Sequence, residues 1–278
     1  MSMRTPQRGC DVPDWIAITC PLCETARRFS LAPHPGIVNH HAPLSHFMKT
    51  SLPVRFLFAA VCSTALFSAA QAADEGFESL FDGKTLAGWE QRSGKAEYRV
   101  EDGAIVGKTV LNSGNTFLCT KKLYGDFVFE FQFKVAAGMN SGVQFRSEFY
   151  DKETTVEIDG KPRKFPADRV FGYQYEIDPS DRAYTGGVYD EARRGWLFNL
   201  KNNEAARQAF KAGEWNSARI ECKGDSIKTW INGVPAADLK DGLTKKGLIA
   251  LQVHGIGNKT EKAGEEVRWR NLQIKELK

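Results

Sequence analysis

"DFVFEFQFKV", residues 126–135, decides the architecture. Phe127, Phe129, Phe131, Phe133 and Val135 fall at every second position, with Glu130, Gln132 and Lys134 between them. Side chains alternate faces along an extended chain, so this spacing puts the apolar groups on one side and the polar groups on the other. A helix would scatter the same rings around its axis. The stretch is therefore read as a half-buried antiparallel strand. EYRVEDGAIVG (97–107), ARIECKGDSIKTWINGV (218–234), GLIALQVHG (247–255) and VRWRNLQIKEL (267–277) repeat the pattern.

Turn signals separate these segments: Asp102-Gly103, Gly224-Asp225, Asn232-Gly233 and Asp241-Gly242. Short strands joined by tight turns, without helical crossovers, predict an all-β fold of two antiparallel sheets packed as a jelly-roll sandwich. One short helix is expected in NNEAARQAF (202–210), capped by Asn202 or Asn203, with Ala205, Ala206, Ala209 and Phe210 as its apolar stripe. Tyr150 to Asp168 is charged, holds two prolines and an Asp159-Gly160 turn, and reads as a long loop or protruding hairpin beside a groove.

The first 72 residues differ in character. Met48, Lys49 and Arg55 precede an apolar run from Phe56 to Ala70, which ends in Ala70-Gln71-Ala72, a small-x-small cleavage pattern. Residues 48–72 are thus read as a signal peptide, and the mature protein as periplasmic or secreted. The run is shorter than the roughly 20 residues a membrane span requires, so no retained anchor is expected. Residues 1–47 are read as a non-native upstream extension from a start codon assigned too early. Cys20-Pro-Leu-Cys23 with His34, His40, His41 and His46 suggests a metal knuckle, but the second well-spaced ligand pair is missing.

Residues 73–278 then form one domain with room for a substantial core. The chain's 38 Lys/Arg and 34 Asp/Glu give +4, yet residues 1–72 hold six of the former and three of the latter, leaving 32 against 31. Such balance gives no reason to expect nucleic acid or an anionic membrane as partner. Only Cys119 and Cys222 remain as cysteines, in a compartment that permits one disulfide.

Chemistry concentrates on three polar strand faces. In FGYQYEID (171–178), alternation sends Phe171, Tyr173, Tyr175 and Ile177 one way and Gln174, Glu176 and Asp178 the other. Two carboxylates about 6.5–7 Å apart along a strand suit glycosidic acid/base work, although a solvated sheet face produces the same pattern. NSGVQFRSEF directs Gln144, Arg146 and Glu148 to one face, and LIALQVHG does the same for Gln252 and His254. Three such strands side by side would make one polar groove.

His254, the only histidine after residue 72, is of the type that carries protons near neutral pH. Arg146 is read either as a structural ion-pair partner or as a stabiliser of a developing oxyanion. Asn140, Gln144, Gln174, Tyr189, Arg194, Trp196 and Gln252 are the expected substrate contacts, with aromatic faces against sugar C–H surfaces. Tyr175 and Trp215 are assigned to the core. Nucleophile-elbow, phosphate-loop and dinucleotide motifs are missing from the mature segment. Asp178, Asp181 and Asp190 leave a divalent cation open as cofactor without an assigned site, since their spacing is not that of an EF-hand.

GFESLFDGKTLAGW (76–89), NSGVQFR (140–146), GYQYEIDPSDRAYTGGVYDEARRGW (172–196), GEWN (213–216), LQVHG (251–255) and RNLQIKEL (270–277) together resemble the 3-keto-disaccharide hydrolase domain family, in the family's order and across the mature chain. The resemblance implies a concanavalin-like, laminarinase-like sandwich acting on glycosides oxidised to a ketone at the third carbon of the sugar. Many members read Glu then Gln where this chain has Gln174 then Glu176. An adjacent ketone acidifies the hydrogen on C2 and sets up elimination of the aglycone from C1. His254 or Glu176 would serve as base, Arg146 as enolate stabiliser, and Asp178 or Glu176 as acid. Two other readings compete: an ordinary glycosidase using Glu176 and Asp178, and a non-catalytic carbohydrate-binding module.

Overall fold

The rings of Phe127, Phe129, Phe131 and Phe133 are all buried and lie between two sheets, as their alternation requires. The computed structural model describes residues 76–278, so the segments read above as a signal peptide, its cleavage site and an upstream extension lie outside the described residues. The first strands are β1 (Glu78–Ser79), β2 (Trp89–Ser93), β3 (Glu97–Glu101), β4 (Ala104–Lys108), β5 (Thr116–Thr120) and β6 (Phe127–Val135). Next come β7 (Ser141–Glu148), β8 (Thr154–Ile158), β9 (Lys161–Phe165), β10 (Phe171–Ile177), β11 (Val188–Glu191) and β12 (Gly195–Phe198). After helix α1 (Glu204–Ala209) follow β13 (Asn216–Lys223), β14 (Ser226–Ile231), β15 (Val234–Lys240), β16 (Leu248–Val253) and β17 (Glu266–Glu276).

One sheet runs β15-β14-β13-β6-β17-β4-β3, with β1 added to β17; the other runs β12-β11-β10-β7-β16-β5-β2. Every pairing in both is antiparallel, which makes the fold a jelly-roll sandwich. Val143, Phe145, Tyr173, Tyr175, Leu251 and Val253 of the second sheet meet the β6 rings and Trp269 of the first. Each such side chain contributes about 1.5–3 kcal/mol when fully buried. Asp102-Gly103 and Asn232-Gly233 both carry positive φ, the conformation two-residue hairpin turns demand.

The helix starts where expected, with the Asn203 side chain accepting from the Ala206 amide at 3.2 Å. Ala206 is buried and Ala209 and Phe210 pack partly buried against the core, whereas Ala205 is exposed. Trp215 is not core: it is half-buried at the surface, with the Arg270 guanidinium 4.0 Å from its ring centre. Cys119 and Cys222 are both buried and unpaired, in different packing clusters.

A bulge in β7 rearranges two expected faces. Ser147 pairs with Leu248 and Gln144 with Ala250, so three residues of β7 span two of β16. The extra residue brings Arg146 to φ +45°, and its side chain leaves the outer face. Opposite the same bulge, Gly172 (φ +130°) turns Phe171 away from Tyr173, and Phe171 packs on Ile158 and Phe165 of the β8–β9 hairpin. That hairpin belongs to a segment lying on the outer face of the seven-stranded sheet. Its Val170 packs on Phe117, Cys119, Leu248 and Ala250. Asp168 accepts from Arg92 and Ser93 on β2, while Arg169 pairs with Glu191 on β11.

Candidate active site

On the outer face of the seven-stranded sheet, the registers align Trp196, Tyr189, Gln174 and Gln144 in one row across β12, β11, β10 and β7. Glu176 stands two residues along β10 on that face, opposite Gly142. A cleft of about 230 Å³ opens here, lined by Asn140, Gln174, Glu176, Arg182, Tyr189, Glu191, Trp196 and His254. Thus strand β10, the start of β7, the end of β16 and the β11–β12 hairpin deliver groups to one hollow.

Glu176 is its chemical centre. It is 5 % exposed, and each carboxylate oxygen accepts one amide N–H: Oε1 from Asn140 Nδ2 and Oε2 from Gln174 Nε2, both at 2.7 Å. Burial pushes its carboxyl from 4.5 up to about 7; the two amide bonds pull it down, and the charges of Asp178 and Glu191 push it further up. Gln174 is itself fixed, because its Oε1 accepts from Gln144 Nε2 at 2.5 Å and from Gln252 Nε2 at 2.9 Å. Two donors on that oxygen force the Gln174 amino group toward Glu176. Gly142 makes room for this arrangement: a β-carbon there would lie 2.5 Å from Gln174 Cδ.

His254 follows β16, is exposed, and reaches the Gly255 carbonyl through Nδ1 at 2.8 Å. A carbonyl only accepts, so this bond puts a hydrogen on Nδ1 and leaves Nε2 to face a ligand. Its loop is pinned by Asn115, which accepts from the Gly255 amide at 2.8 Å and donates to Glu191 at 3.2 Å. Tyr189 and Tyr184 meet the Trp196 ring edge-on at 5.3 and 5.4 Å, forming an aromatic wall.

Several expected site residues stand elsewhere. Arg146 is fully buried by the bulge and donates to the carbonyls of Gly125 and Gly224 and to Asp126, so it braces turns and does not face the cleft. Arg194 pairs with Asp190 and Asp241 beside Tyr173, also away from the cleft. Asp178 falls just past the end of β10, accepts from the Ser180 amide and pairs with Arg182 at 3.0 Å; it does not line the hollow. Gln144 and Gln252 are fully buried and act on Glu176 through Gln174. Sequence reasoning missed Arg182, Glu191, Asn115 and Arg169. Arg182 and Glu191 sit inside the quoted 172–196 stretch, and alternation with Tyr189 would have placed Glu191 on the outer face. Among the described residues no three His, Cys, Asp or Glu side chains gather as a metal site. Nor is any helix among them long and apolar enough to cross a membrane.

An amide-clamped carboxylate of raised pKa, sunk beside aromatic rings on a sandwich sheet, suits proton transfer on a polyhydroxylated ligand, and the class is that of carbohydrate-acting, glycosyl-hydrolase-like enzymes. The chain belongs to the 3-keto-α-glucoside-1,2-lyase-like domain family, which it matches over residues 76–275. Among solved structures it is similar to a protein provisionally designated a glycosyl hydrolase from Parabacteroides distasonis: 22 % identity, TM-score 0.46, covering 73 % of this chain and 95 % of that one. It is also similar to carbohydrate-binding module CBM66 from Bacillus subtilis, at 14 % identity and TM-score 0.46 over 68 % of this chain and 95 % of that one. A third is the β-glucanase of Bacillus licheniformis, at 14 % identity and TM-score 0.44 over 75 % of this chain and all of that one. No curated protein matches the chain.

Proposed function

We propose that this protein cleaves glycosides whose sugar carries a ketone at C3, by removing the C2 hydrogen and expelling the aglycone from C1. The observation that carries this reading is Glu176: a buried carboxylate with its pKa lifted to about 7, held by amides and open to a cleft shared with His254. A general base works best with a pKa near the operating pH, so a carboxyl lifted toward neutrality is a stronger acceptor for a carbonyl-adjacent proton than one left near 4.5. Glu176 takes the C2 proton, and the C–H electrons move into the C2–C3 bond and onto the ketone oxygen as an enolate. When the enolate collapses, a C1–C2 double bond forms, the C1–O bond breaks, and the departing oxygen takes a proton from Nε2 of His254 in its imidazolium form, which leaves the neutral ring with Nδ1–H on the Gly255 carbonyl. Water then adds across the conjugated double bond at C1, giving net hydrolysis. Arg182, not Arg146, is the cation lining the cleft, and it serves the enolate oxygen. Tyr189 and Trp196 hold the ring.

Ordinary glycoside hydrolysis gains one observation, since Glu191 is a second carboxylate in the cleft. Glu191 is nonetheless engaged by Arg169 and Asn115, which suits a structural role. The deciding experiment offers a glucoside and its 3-keto derivative to the purified protein in deuterated water. Cleavage of the ketone alone, with deuterium entering C2 of recovered substrate, is the expected result. Cleavage of the unoxidised glycoside alone sinks the proposal, and binding without turnover of either leaves a lectin-like module. We also read the protein as secreted after cleavage behind Ala72, which the N-terminal sequence of the exported form tests.

A further inference from the structure

The back of the sandwich carries aromatic and amide groups that the cleft does not use. On the outer face of the eight-stranded sheet, the registers set Trp230, Arg219, Glu130 and Gln273 in one row across β14, β13, β6 and β17. A bulge in β17 extends this row. Arg270 pairs with Gln132 and Gln273 with Glu130, so three residues of β17 span two of β6, and Asn271 takes φ +53°. Arg270 Nε and Asn271 Nδ2 thereby both reach Gln132 Oε1, at 2.8 and 3.2 Å. A hollow of about 540 Å³ opens over these strands, and Trp230, Gln132, Asn271 and Gln273 are among the residues that line it.

We propose that this hollow binds a neutral glycan, as a site separate from the catalytic cleft and on the opposite face of the sandwich. The charged residues in its lining are Glu130 and Arg219, and they cancel: Arg219 Nη1 donates to Glu130 Oε1 at 2.6 Å. Gln273 Nε2 donates to Glu130 Oε2 at 3.2 Å, while the neighbouring Arg270 is engaged by Gln132 and by the Trp215 ring, whose centre lies 4.0 Å from its guanidinium. Such a hollow has no surplus of cations to hold a nucleic acid or an acidic polymer. It also lacks the apolar centre of a protein interface, since the exposed large hydrophobic residues among those described, Leu123 and Leu243, do not line it. An aromatic ring set among fixed donors and acceptors remains. The bonds from Gln273 Nε2 and Asn271 Nδ2 orient both amides, leaving Gln273 Oε1 and Asn271 Oδ1 as acceptors, and the Ser217 hydroxyl can donate or accept. Sugar hydroxyls answer both roles, and the C–H face of a pyranose packs on indole. Trp230, with the Arg219 guanidinium 5.5 Å from its ring centre, supplies that surface. Binding here needs neither a ketone nor turnover, so the site stands or falls apart from the reaction proposed above.

The test runs the full chain through native gels containing dextran, mixed-linkage β-glucan or galactomannan, with alginate as the anionic control. At least one neutral polymer should retard wild type, and the dependence on its concentration gives a Kd. Trp230→Ala should weaken that Kd about tenfold, the scale of one stacked ring, and Gln132→Ala about threefold. Trp196→Ala, in the cleft, should leave it unchanged. Ser217→Trp fills the hollow from an exposed strand position and should abolish retardation, with thermal melts showing which variants remain folded. Retardation by no neutral polymer, retardation by alginate alone, or a Kd that Trp196→Ala weakens and folded Trp230→Ala and Ser217→Trp do not, overturns the site.

Discussion

Glu176 sits between opposing influences, and their balance can be read in two measurements. Its folded pKa is raised from 4.5 to about 7, so the folded state holds a proton that the unfolded chain has released between those values. The stabilising contribution of this group is therefore complete below about 4.5 and is lost as pH climbs through about 7. Replacing it by Gln should remove that slope, leaving the variant more stable than wild type at pH 8 by on the order of 3 kcal/mol and little different at pH 4. Urea melts at the two pH values check this. The same variant should lose roughly 10²–10⁴ in kcat, and wild-type kcat/KM should fall as pH drops below about 7 and the base is protonated.

Strand-level packing decides what reaches Glu176. Gly142→Ala would place a methyl group within 2.5 Å of Gln174 Cδ and push that amide off the carboxylate. We expect about a tenfold fall in kcat and a shifted pH midpoint, with about 1–3 kcal/mol of stability lost to the clash at this buried site, read by kinetics beside calorimetry. Arg146→Met should instead cost roughly 3 kcal/mol through the turns it braces while KM stays put. Period-two alternation in 172–178 was enough to locate Gln174 and Glu176, because burial leaves that period intact. It failed at Arg146, where a β7 bulge adds one residue at positive φ without the Gly or Asn that usually announces it. Asp178 was misplaced by one position, since the strand ends at Ile177. Asn115 and Arg182 lie in loops, and only long-range pairing between distant strands sets what those loops face.

At the scale of the whole molecule, the two sheets hold together chiefly through apolar contact, with no disulfide between them among the described residues. Cys119 lies under Val170 on the outer face and Cys222 in the inter-sheet core, each thiol pushed by burial up to about 12. A strong reductant should leave the melting temperature unchanged, and mass spectrometry of the alkylated, unfolded chain should count two free thiols among residues 76–278. The segment carrying β8 and β9 has a different kind of consequence. Its residues 168 and 169 are moored to β2 and to β11, strands near opposite margins of the same sheet, and Val170 rests on the middle. A long glycan therefore finds no open channel from margin to margin. On the reading proposed above, the substrate would be a short glycoside or a chain end.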